Sequence, residues 1–183
     1  MKDDSARDAR IAALLADSSG DPLQYFRRRA RPQEEAADLL AELFLTAWRK
    51  RHAIPEDAEK ARMWLFGVAH NTLRNWVRGR RRQDEKALRL RDELRSTNSA
   101  PDLDEVRAAI ERLPANQADL VRLVHWDGFS VVEAARILGL SESTARGRYQ
   151  RARTRLAEDP DIIILRDGRS VPSATSPSAN GME

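Results

Sequence analysis

The sequence predicts an all-α protein of two small helical domains joined by a flexible linker, the C-terminal one a helix-turn-helix. Apolar residues recur at three- to four-residue spacing in several segments, which is the period of a buried helix face. A polar stretch at 96–101 interrupts this periodicity, and a capped helix, a glycine and a second capped helix follow within 130–156. With 41% hydrophobic, 33% charged and 5% aromatic residues, each core must be modest. Small helical bundles suit that composition.

Changes in composition along the 183 residues divide the chain into five segments. They are an N-terminal tail (1–21), a first module (22–82), a linker (83–101), a second module (102–158) and a mobile C-terminal tail (159–183). The turn signal Ser-Ser-Gly-Asp-Pro at 18–22 marks the start of the first module. The C-terminal tail contains a β-prone run at 162–165, to which we assign no function.

In the first module, a helix is predicted over 23–31 and a second from Pro32 to about residue 50. Proline suits the first helical position, and the acids that follow it face the positive end of the helix dipole. One apolar stripe of this second helix is expected to be buried: Ala36, Leu40, Leu43, Phe44, Ala47 and Trp48. The opposite stripe comprises Asp38, Glu42, Leu45 and Arg49. Such a stripe is either solvated surface or a partner-docking face, and the pattern leaves both open.

A third helix is predicted over 59–78, with Leu65, Ala69, Leu73 and Trp76 on its buried face. Its other face carries Gly67, His70, Asn71, Arg74, Asn75 and Arg78. Amide and guanidinium groups are donors that pair with base edges and phosphates. We interpret Trp64 as a core residue rather than a stacking wedge.

The second module opens near Asp102, and its strongest local signal is a pair of helices at 130–156. Ser130 and Glu133 form a capping box that begins a short helix with an apolar face. Gly139 permits the tight turn that ends this helix, and Ser141 is a good N-cap for the next one. This order of caps and turn residues predicts a helix-turn-helix.

The last helix has a core face of Ala145, Tyr149, Ala152 and Leu156. Its other positions must then point away from the core: Ser143, Arg146, Gly147, Gln150 and Arg153. That exposed face is expected to enter a major groove, where arginine reads guanine and glutamine reads adenine. Arg148, Arg151 and Arg155 flank it and can reach phosphates. An arginine-rich amphipathic helix with no ligand is the alternative.

Charge and composition narrow the classes of function further. Five arginines and no acid lie in each of 74–82 and 146–155, and the sequence pI is about 9.7. A single such run is either a solvated face or a binding surface, but two of them indicate a polyanionic partner. The absence of cysteine excludes disulfides and thiolate metal sites. No metal or cofactor is expected, and without a signal peptide or spanning segment we expect a cytoplasmic protein with no membrane insertion.

Taken together, these residues resemble the extracytoplasmic-function (ECF) group of bacterial RNA polymerase sigma factors over about 23–157. Residues 37–48 resemble the family's polymerase-docking helix, 64–71 the helix that reads the minus-ten element, and 113–156 the reader of the minus-thirty-five element. This resemblance implies a transcription initiation factor whose partners are core RNA polymerase, promoter DNA and an anti-sigma factor. Catalysis would belong to the polymerase. Ala41, His70 and Gly147 stand where other residues are common in the family.

The resemblance assigns three groups of candidate site residues. For polymerase binding they are Asp38, Leu39, Glu42 and Leu45. For the minus-ten element they are Asn71, Arg74, Asn75 and Arg78. For the minus-thirty-five element they are Ser143, Arg146, Gly147, Arg148, Gln150 and Arg151.

Two other functions are compatible with parts of the sequence. A free-standing helix-turn-helix regulator would account for the second module, but it has no need of the docking stripe on the first. An enzyme acting on nucleic acid would need a catalytic constellation. His52, His70 and His125 are far apart in sequence, and neither a metal-ligand spacing nor a glycine-rich phosphate loop occurs.

Overall fold

A computed structural model of the protein describes residues 2–17, 20–87, 101–160 and 162–163, and within these ranges it is helical with no strand. The elements are α1 (Lys2–Asp17), α2 (Gly20–Arg29), α3 (Glu35–Arg49), a 3-10 turn (Arg51–Ala53), α4 (Ala58–Ala87), α5 (Pro101–Arg112), α6 (Ala115–His125), α7 (Val131–Leu138) and α8 (Glu142–Ala157). Helices α1–α4 form the first module and α5–α8 the second. The predicted all-α fold with a C-terminal helix-turn-helix is confirmed.

Helix α1 belongs to the core of the first module, so the prediction of a tail over 1–21 is wrong. Ile11 is completely buried and Leu15 is 8% exposed. Both join the cluster that contains Tyr25 and Phe26 of α2. Ile11 and Leu15 are four positions apart, so they lie on one stripe of α1 and are buried together.

Helix α3 begins three residues later than predicted and is rotated relative to the predicted stripe. Residues 31–34 form a bend and a turn after the cis Arg31–Pro32 peptide, so Pro32 is not the first helical residue. Leu39, predicted to be exposed, is 2% exposed and lies in the core. Trp48, predicted to be buried, is 41% exposed. The buried face is therefore formed by Ala36, Leu39, Leu43 and Ala47.

Helix α4 is 30 residues long and continues to Ala87, nine residues beyond its predicted end. The apolar pattern fades after Val77, but arginine, glutamine, glutamate and lysine are all good helix formers. Arg80 also ties the extension to α3, because its guanidinium lies 5.2 Å from the Trp76 ring centroid and 3.7 Å from Glu35. Residues 83–87 are thus helical rather than linker, and the predicted flexibility of 88–100 lies outside the described residues.

The predicted capping residues form the hydrogen bonds expected of them in α7 and α8. The Glu133 amide donates to Ser130 Oγ at 3.2 Å, and the Ser130 amide donates to Glu133 Oε2 at 2.7 Å. The hydrogen bond from the Ser130 hydroxyl lowers the pKa of Glu133. Gly139 adopts the left-handed conformation at φ 65°, and Ser141 Oγ accepts from the Thr144 amide at 3.2 Å. Local sequence therefore defines this turn.

The first two residues of the predicted β-prone run at 162–165, Ile162 and Ile163, are helical. Just before them, Asp159 accepts a hydrogen bond from Arg112 at 2.6 Å. The start of the segment predicted to be a mobile tail is thus tied to α5. The remainder, 164–183, lies outside the described residues.

The two modules pack directly on each other, which the sequence did not predict. Asp127, which follows α6, accepts hydrogen bonds from Arg29 of α2, and their side chains are 2% and 3% exposed. Arg62 of α4 donates to the Asp127 carbonyl at 2.8 Å, and Arg28 donates to the Trp126 carbonyl at 2.7 Å. Three arginines of the first module thus converge on one turn of the second.

An aromatic contact continues this interface. Phe66 of α4 and Phe129 meet edge to face, with ring centroids 4.8 Å apart, and both are nearly fully buried. The Arg62 guanidinium lies 4.1 Å from the Phe129 centroid. Burying each ring contributes about 1.5–3 kcal/mol, and an aromatic pair adds about 0.5–1.5 kcal/mol. Ile137 of α7 belongs to the same core as Leu65 and Ala69, so α7 packs against α4.

His70, predicted on the exposed face of α4, is 8% exposed in the module interface. The Tyr25 hydroxyl lies 3.5 Å from His70 Nδ1. Burial lowers the pKa of His70; Asp119 opposes this effect, whereas Arg74 and Arg29 reinforce it. The imidazole is therefore neutral in the folded protein near pH 7.

Breaking the buried ion pair is expected to be costly, because it leaves one charge buried without its partner. Asp127→Ala should lower the free energy of unfolding by about 3–5 kcal/mol, whereas Arg29→Met with Asp127→Leu should recover most of that loss. Urea denaturation measures both. Glu142→Ala, which removes the exposed Arg146–Glu142 pair, should cost less than about 1 kcal/mol. A similar small cost for Asp127→Ala would contradict this account of the interface.

Protonation of His70 should destabilise the fold at mildly acidic pH. The pKa of His70 in the folded protein is below the ordinary value of 6.5. Above that pH the imidazole is neutral in both the folded and the unfolded chain, so the stability that depends on a neutral His70 is fully present. Stability is lost as the pH falls from there toward the lowered pKa, because the unfolded chain binds the proton first. The loss of stability between about pH 7.5 and 5.5 should be smaller in His70→Gln than in the wild type, and unchanged in His52→Gln, since His52 is exposed. Equal losses in all three proteins would refute a neutral His70.

Candidate nucleic-acid interface

The helix-turn-helix presents one face of α8 to solvent. Ala145 and Ala152 are fully buried, and Tyr149 and Leu156 pack beside them, which fixes the rotation of the helix. Tyr149 is also held by a 2.9 Å hydrogen bond with His125 Nε2. The residues this leaves exposed include Ser143, Arg146, Gln150, Arg151 and Arg153. An exposed helix face with arginine and glutamine one turn apart matches the dimensions and donor pattern of a major groove.

Gly147 and Arg148 are half-buried, whereas Arg146 and Gln150 are exposed. A Cβ atom at Gly147 would lie 3.6 Å from Nη1 of Arg151, so the Arg151 guanidinium covers this backbone. Arg148 turns toward the first module and lines a cavity between the modules. Arg155 donates to Gln117 Oε1 at 3.4 Å, within its own module. Fewer arginines are therefore free to face a DNA groove than the five that the sequence contains at 146–155.

The polar face of α4 is the second basic surface. Asn71, Arg74, Asn75 and Arg78 are all exposed, and Arg78 donates to Asn75 Oδ1 at 2.6 Å. Beside it, a cavity of about 550 Å³ is lined by Trp64, Asn71, Lys50, Lys60 and Arg136. An aromatic ring, an amide and three cations around one cavity suit an unstacked base and its phosphate.

The outer face of α3 carries the two large apolar side chains that are exposed in the described parts of the chain. Leu45 is 58% exposed and Trp48 is 41% exposed. The exposed acids Asp38 and Glu42 lie on the same side of the helix. Sequence reasoning missed Trp48, although its i+3 spacing from Leu45 places it beside that residue.

The packing of the modules brings together basic residues from both candidate DNA-binding surfaces. Arg74 and Arg78 of α4 and Arg148 of α8 line the same cavity. No spacing in the sequence indicates this juxtaposition, since Arg74 and Arg148 lie in different modules. In the described ranges, no three His, Asp or Glu side chains gather to form a metal site. The helices described here also lack the length and apolarity that a membrane span requires.

Two known families match the chain. Residues 21–83 match sigma-70 region 2, and residues 103–156 match sigma-70 region 4. These matches cover α2 to α4 and α5 to α8, in the order that the sequence resemblance implies. The members of these families are transcription initiation factors without a catalytic activity of their own.

Several relatives are similar over most of their length. The ECF sigma factor EcfG of Rhodopseudomonas palustris is 32% identical over 130 residues, covering 68% of this chain and 70% of the relative. The sigma factor HrpL of Pseudomonas syringae is 30% identical over 164 residues, covering 84% and 88%. The ECF sigma factor SigM of Mycobacterium tuberculosis is 31% identical over 134 residues, covering 72% and 67%.

Two solved structures share the fold. The sigma factor RpoE of Bartonella quintana, in complex with the anti-sigma factor NepR, superposes with a TM-score of 0.65 at 23% identity, covering 86% of this chain and 96% of that one. CnrH, in complex with the cytosolic domain of CnrY, gives a TM-score of 0.60 at 26% identity, covering 89% and 91%. With both conserved regions, relatives above 30% identity and this fold, the chain belongs to the ECF group of RNA polymerase sigma factors.

Proposed function

We propose that this sigma factor docks on core RNA polymerase through the outer face of α3, which we call the docking face: Asp38, Glu42, Leu45 and Trp48. The observation that carries this proposal is the exposure of two large apolar side chains beside two acids on one helix. Tryptophan is enriched among the anchors of protein interfaces, the adjacent Leu45 extends the apolar surface around Trp48, and the acids add charge complementarity. Leu39 is excluded from the docking face because it lies in the core.

For the minus-thirty-five element, we assign the exposed face of α8. Arg146 and Gln150 lie one turn apart and are both exposed, so each can reach a different base pair. Ser143 and Arg151 flank them and suit phosphate contacts. Gly147 has no side chain, which lets the helix backbone approach the DNA once Arg151 moves aside.

For the minus-ten element, we assign Asn71, Arg74, Asn75 and Arg78 of α4. Their exposure and alignment on one face support this role. The neighbouring cavity lined by Trp64 and Asn71 offers a place for an unpaired base as the duplex opens.

These assignments require the modules to separate on the promoter. The two elements lie roughly 25 base pairs apart, which at about 3.4 Å per pair is on the order of 85 Å. Helices α4 and α7 are in contact, at the roughly 8–10 Å spacing of packed helices. The packed arrangement therefore belongs to the free factor, and the linker spans the modules in the initiation complex.

Some further properties follow from the family. Both solved relatives are bound to a partner protein, and the partner of one is named as an anti-sigma factor. We accordingly infer that an anti-sigma factor regulates this chain. We also infer that it catalyses no reaction itself and acts in the cytoplasm, where bacterial polymerase transcribes. A free-standing regulator would bind duplex promoter tightly without polymerase, and a gel-shift assay with and without core enzyme separates the two functions.

Charge reversal on the docking face should abolish polymerase binding. Asp38→Lys with Glu42→Lys is expected to prevent co-purification with core enzyme, because it places two cations beside the apolar anchors. The free energy of unfolding should change by less than about 0.5 kcal/mol, since both positions are exposed. The control, Glu111→Lys with Glu158→Lys, changes the net charge equally at exposed positions of the second module. Unchanged core binding by the docking-face variant would rule out this assignment.

Arg146 and Arg148 should differ in how they affect promoter selection. Arg146→Ala is expected to cost about 1–3 kcal/mol on the preferred promoter and to relax the preference at one base pair. Arg148→Ala should weaken all promoters alike and reduce the salt dependence by about one counterion. Binding of holoenzyme to single-base promoter variants at two salt concentrations measures both effects. If Arg148→Ala changes the base preference and Arg146→Ala does not, α8 enters the groove with a different rotation.

A further inference from the structure

The interface between the two modules forms a cavity of about 560 Å³ that is open to solvent on one side. Its walls come from α2 and α4 of the first module and from α6, α7 and α8 of the second. This volume lies within the range of small-molecule sites, roughly 300–1,000 Å³. Because both modules line it, the cavity exists only while they are packed together.

Its lining is strongly basic. Five arginines line the cavity: Arg29, Arg74, Arg78, Arg122 and Arg148. Asp119 is the one carboxylate among the described lining residues. Arg29 is neutralised by Asp127, and Asp119 lies 3.8 Å from Arg122. Among the described residues, the three other guanidinium groups that line the cavity have no carboxylate partner of comparable proximity: those of Arg74, Arg78 and Arg148.

Arg122 is largely withdrawn from solvent, and its contact with Asp119 is long, at 3.8 Å. Its side chain is only 16% exposed, and its Nε is buried with no hydrogen-bond partner among the described residues. Burial and the neighbouring Arg29 lower the pKa of Arg122. Leaving a donor buried and unsatisfied is unfavourable, so the fold keeps positive charge beside this cavity at a cost in stability.

We infer that this cavity binds a small, multiply charged, phosphate-bearing anion. Guanidinium groups form paired hydrogen bonds with phosphate oxygens, and several of them converge here from two modules. The apolar side chains Leu73, Leu138 and Leu140 line the rest of the cavity and leave room for an organic group beside the phosphates. The ligand holds the modules together, because it contacts both.

Ligand binding would also withdraw Arg74, Arg78 and Arg148 from promoter DNA, a consequence that rests on the proposed function. Bound anion therefore favours the packed factor over the initiation complex, in proportion to its affinity for the packed state. The site itself is independent of that consequence and can be tested without DNA or polymerase.

The test is calorimetric titration of the full chain with ATP, without divalent cations, and with inorganic pyrophosphate at constant ionic strength. Saturable binding with one ligand per chain is expected, together with a rise in the thermal midpoint by mass action. Adenosine, which has no phosphate, should not bind. Equal affinity for the two probes supports recognition of phosphate alone, whereas tighter binding of ATP supports a contribution from the leucine wall.

Matched arginine variants distinguish the cavity from general attraction to a basic protein. Arg148→Gln and Arg74→Gln, which remove cavity charges, should each weaken binding by at least about tenfold. Arg146→Gln and Arg151→Gln remove equal charge from exposed positions of α8 outside the cavity and should leave affinity unchanged. Absence of saturable binding, or equal weakening by all four variants, would overturn the proposal while leaving the promoter assignments standing.

Discussion

The turn at 126–129 of the second module makes the central contacts with the first module, and the relative placement of the two candidate DNA-binding surfaces depends on it. Its Asp127 carboxylate is buried against Arg29, while its backbone carbonyls accept hydrogen bonds from Arg28 and Arg62. Phe129, the last residue of the turn, packs edge to face against Phe66. A charge can be buried this way only if its partner is supplied in fixed geometry. The interface is therefore specific, and it positions α7 on α4 rather than leaving the modules independent.

If promoter DNA binds as proposed, this interface requires the free factor and the promoter-bound factor to differ in the arrangement of their modules. It places the arginines of both candidate DNA-binding surfaces around one cavity and brings Arg136 of α7 to the cavity beside Trp64 and Asn71. The docking face on α3 lies outside the interface and remains exposed. We infer that polymerase engages the docking face first and that promoter contacts become available when the modules separate.

Elements encoded by local sequence were the ones predicted accurately. The capping box at Ser130, the left-handed Gly139 and the N-cap Ser141 depend on residues within four positions of each other, so the turn of the helix-turn-helix could be read directly. The rotation of α3 was harder to predict from the sequence, because apolar residues occur on both of its faces. For that reason Leu39 was predicted to be exposed but is buried, and Trp48 was predicted to be buried but is exposed.

Contacts between distant parts of the chain could not be predicted. Arg29 and Asp127 are 98 positions apart and have the composition of surface residues, so nothing local indicates a buried pair. Ile11 and Leu15 were assigned to a tail because a turn signal separates them from α2, yet they complete its core. Candidate site residues on exposed helix faces were placed correctly as exposed, except Leu39 and the half-buried Gly147 and Arg148.

The separation of the modules on promoter binding is tested most directly by a distance measurement. The chain has no cysteine, so Ala37→Cys on α3 and Ala157→Cys on α8, both at exposed positions, allow specific attachment of a fluorescent donor and acceptor. Single-molecule energy transfer should show one narrow, high-efficiency population for the free chain and a low-efficiency population in the complex with core polymerase and promoter DNA. A free chain that is already broad and extended, or an efficiency unchanged on promoter binding, would contradict the account.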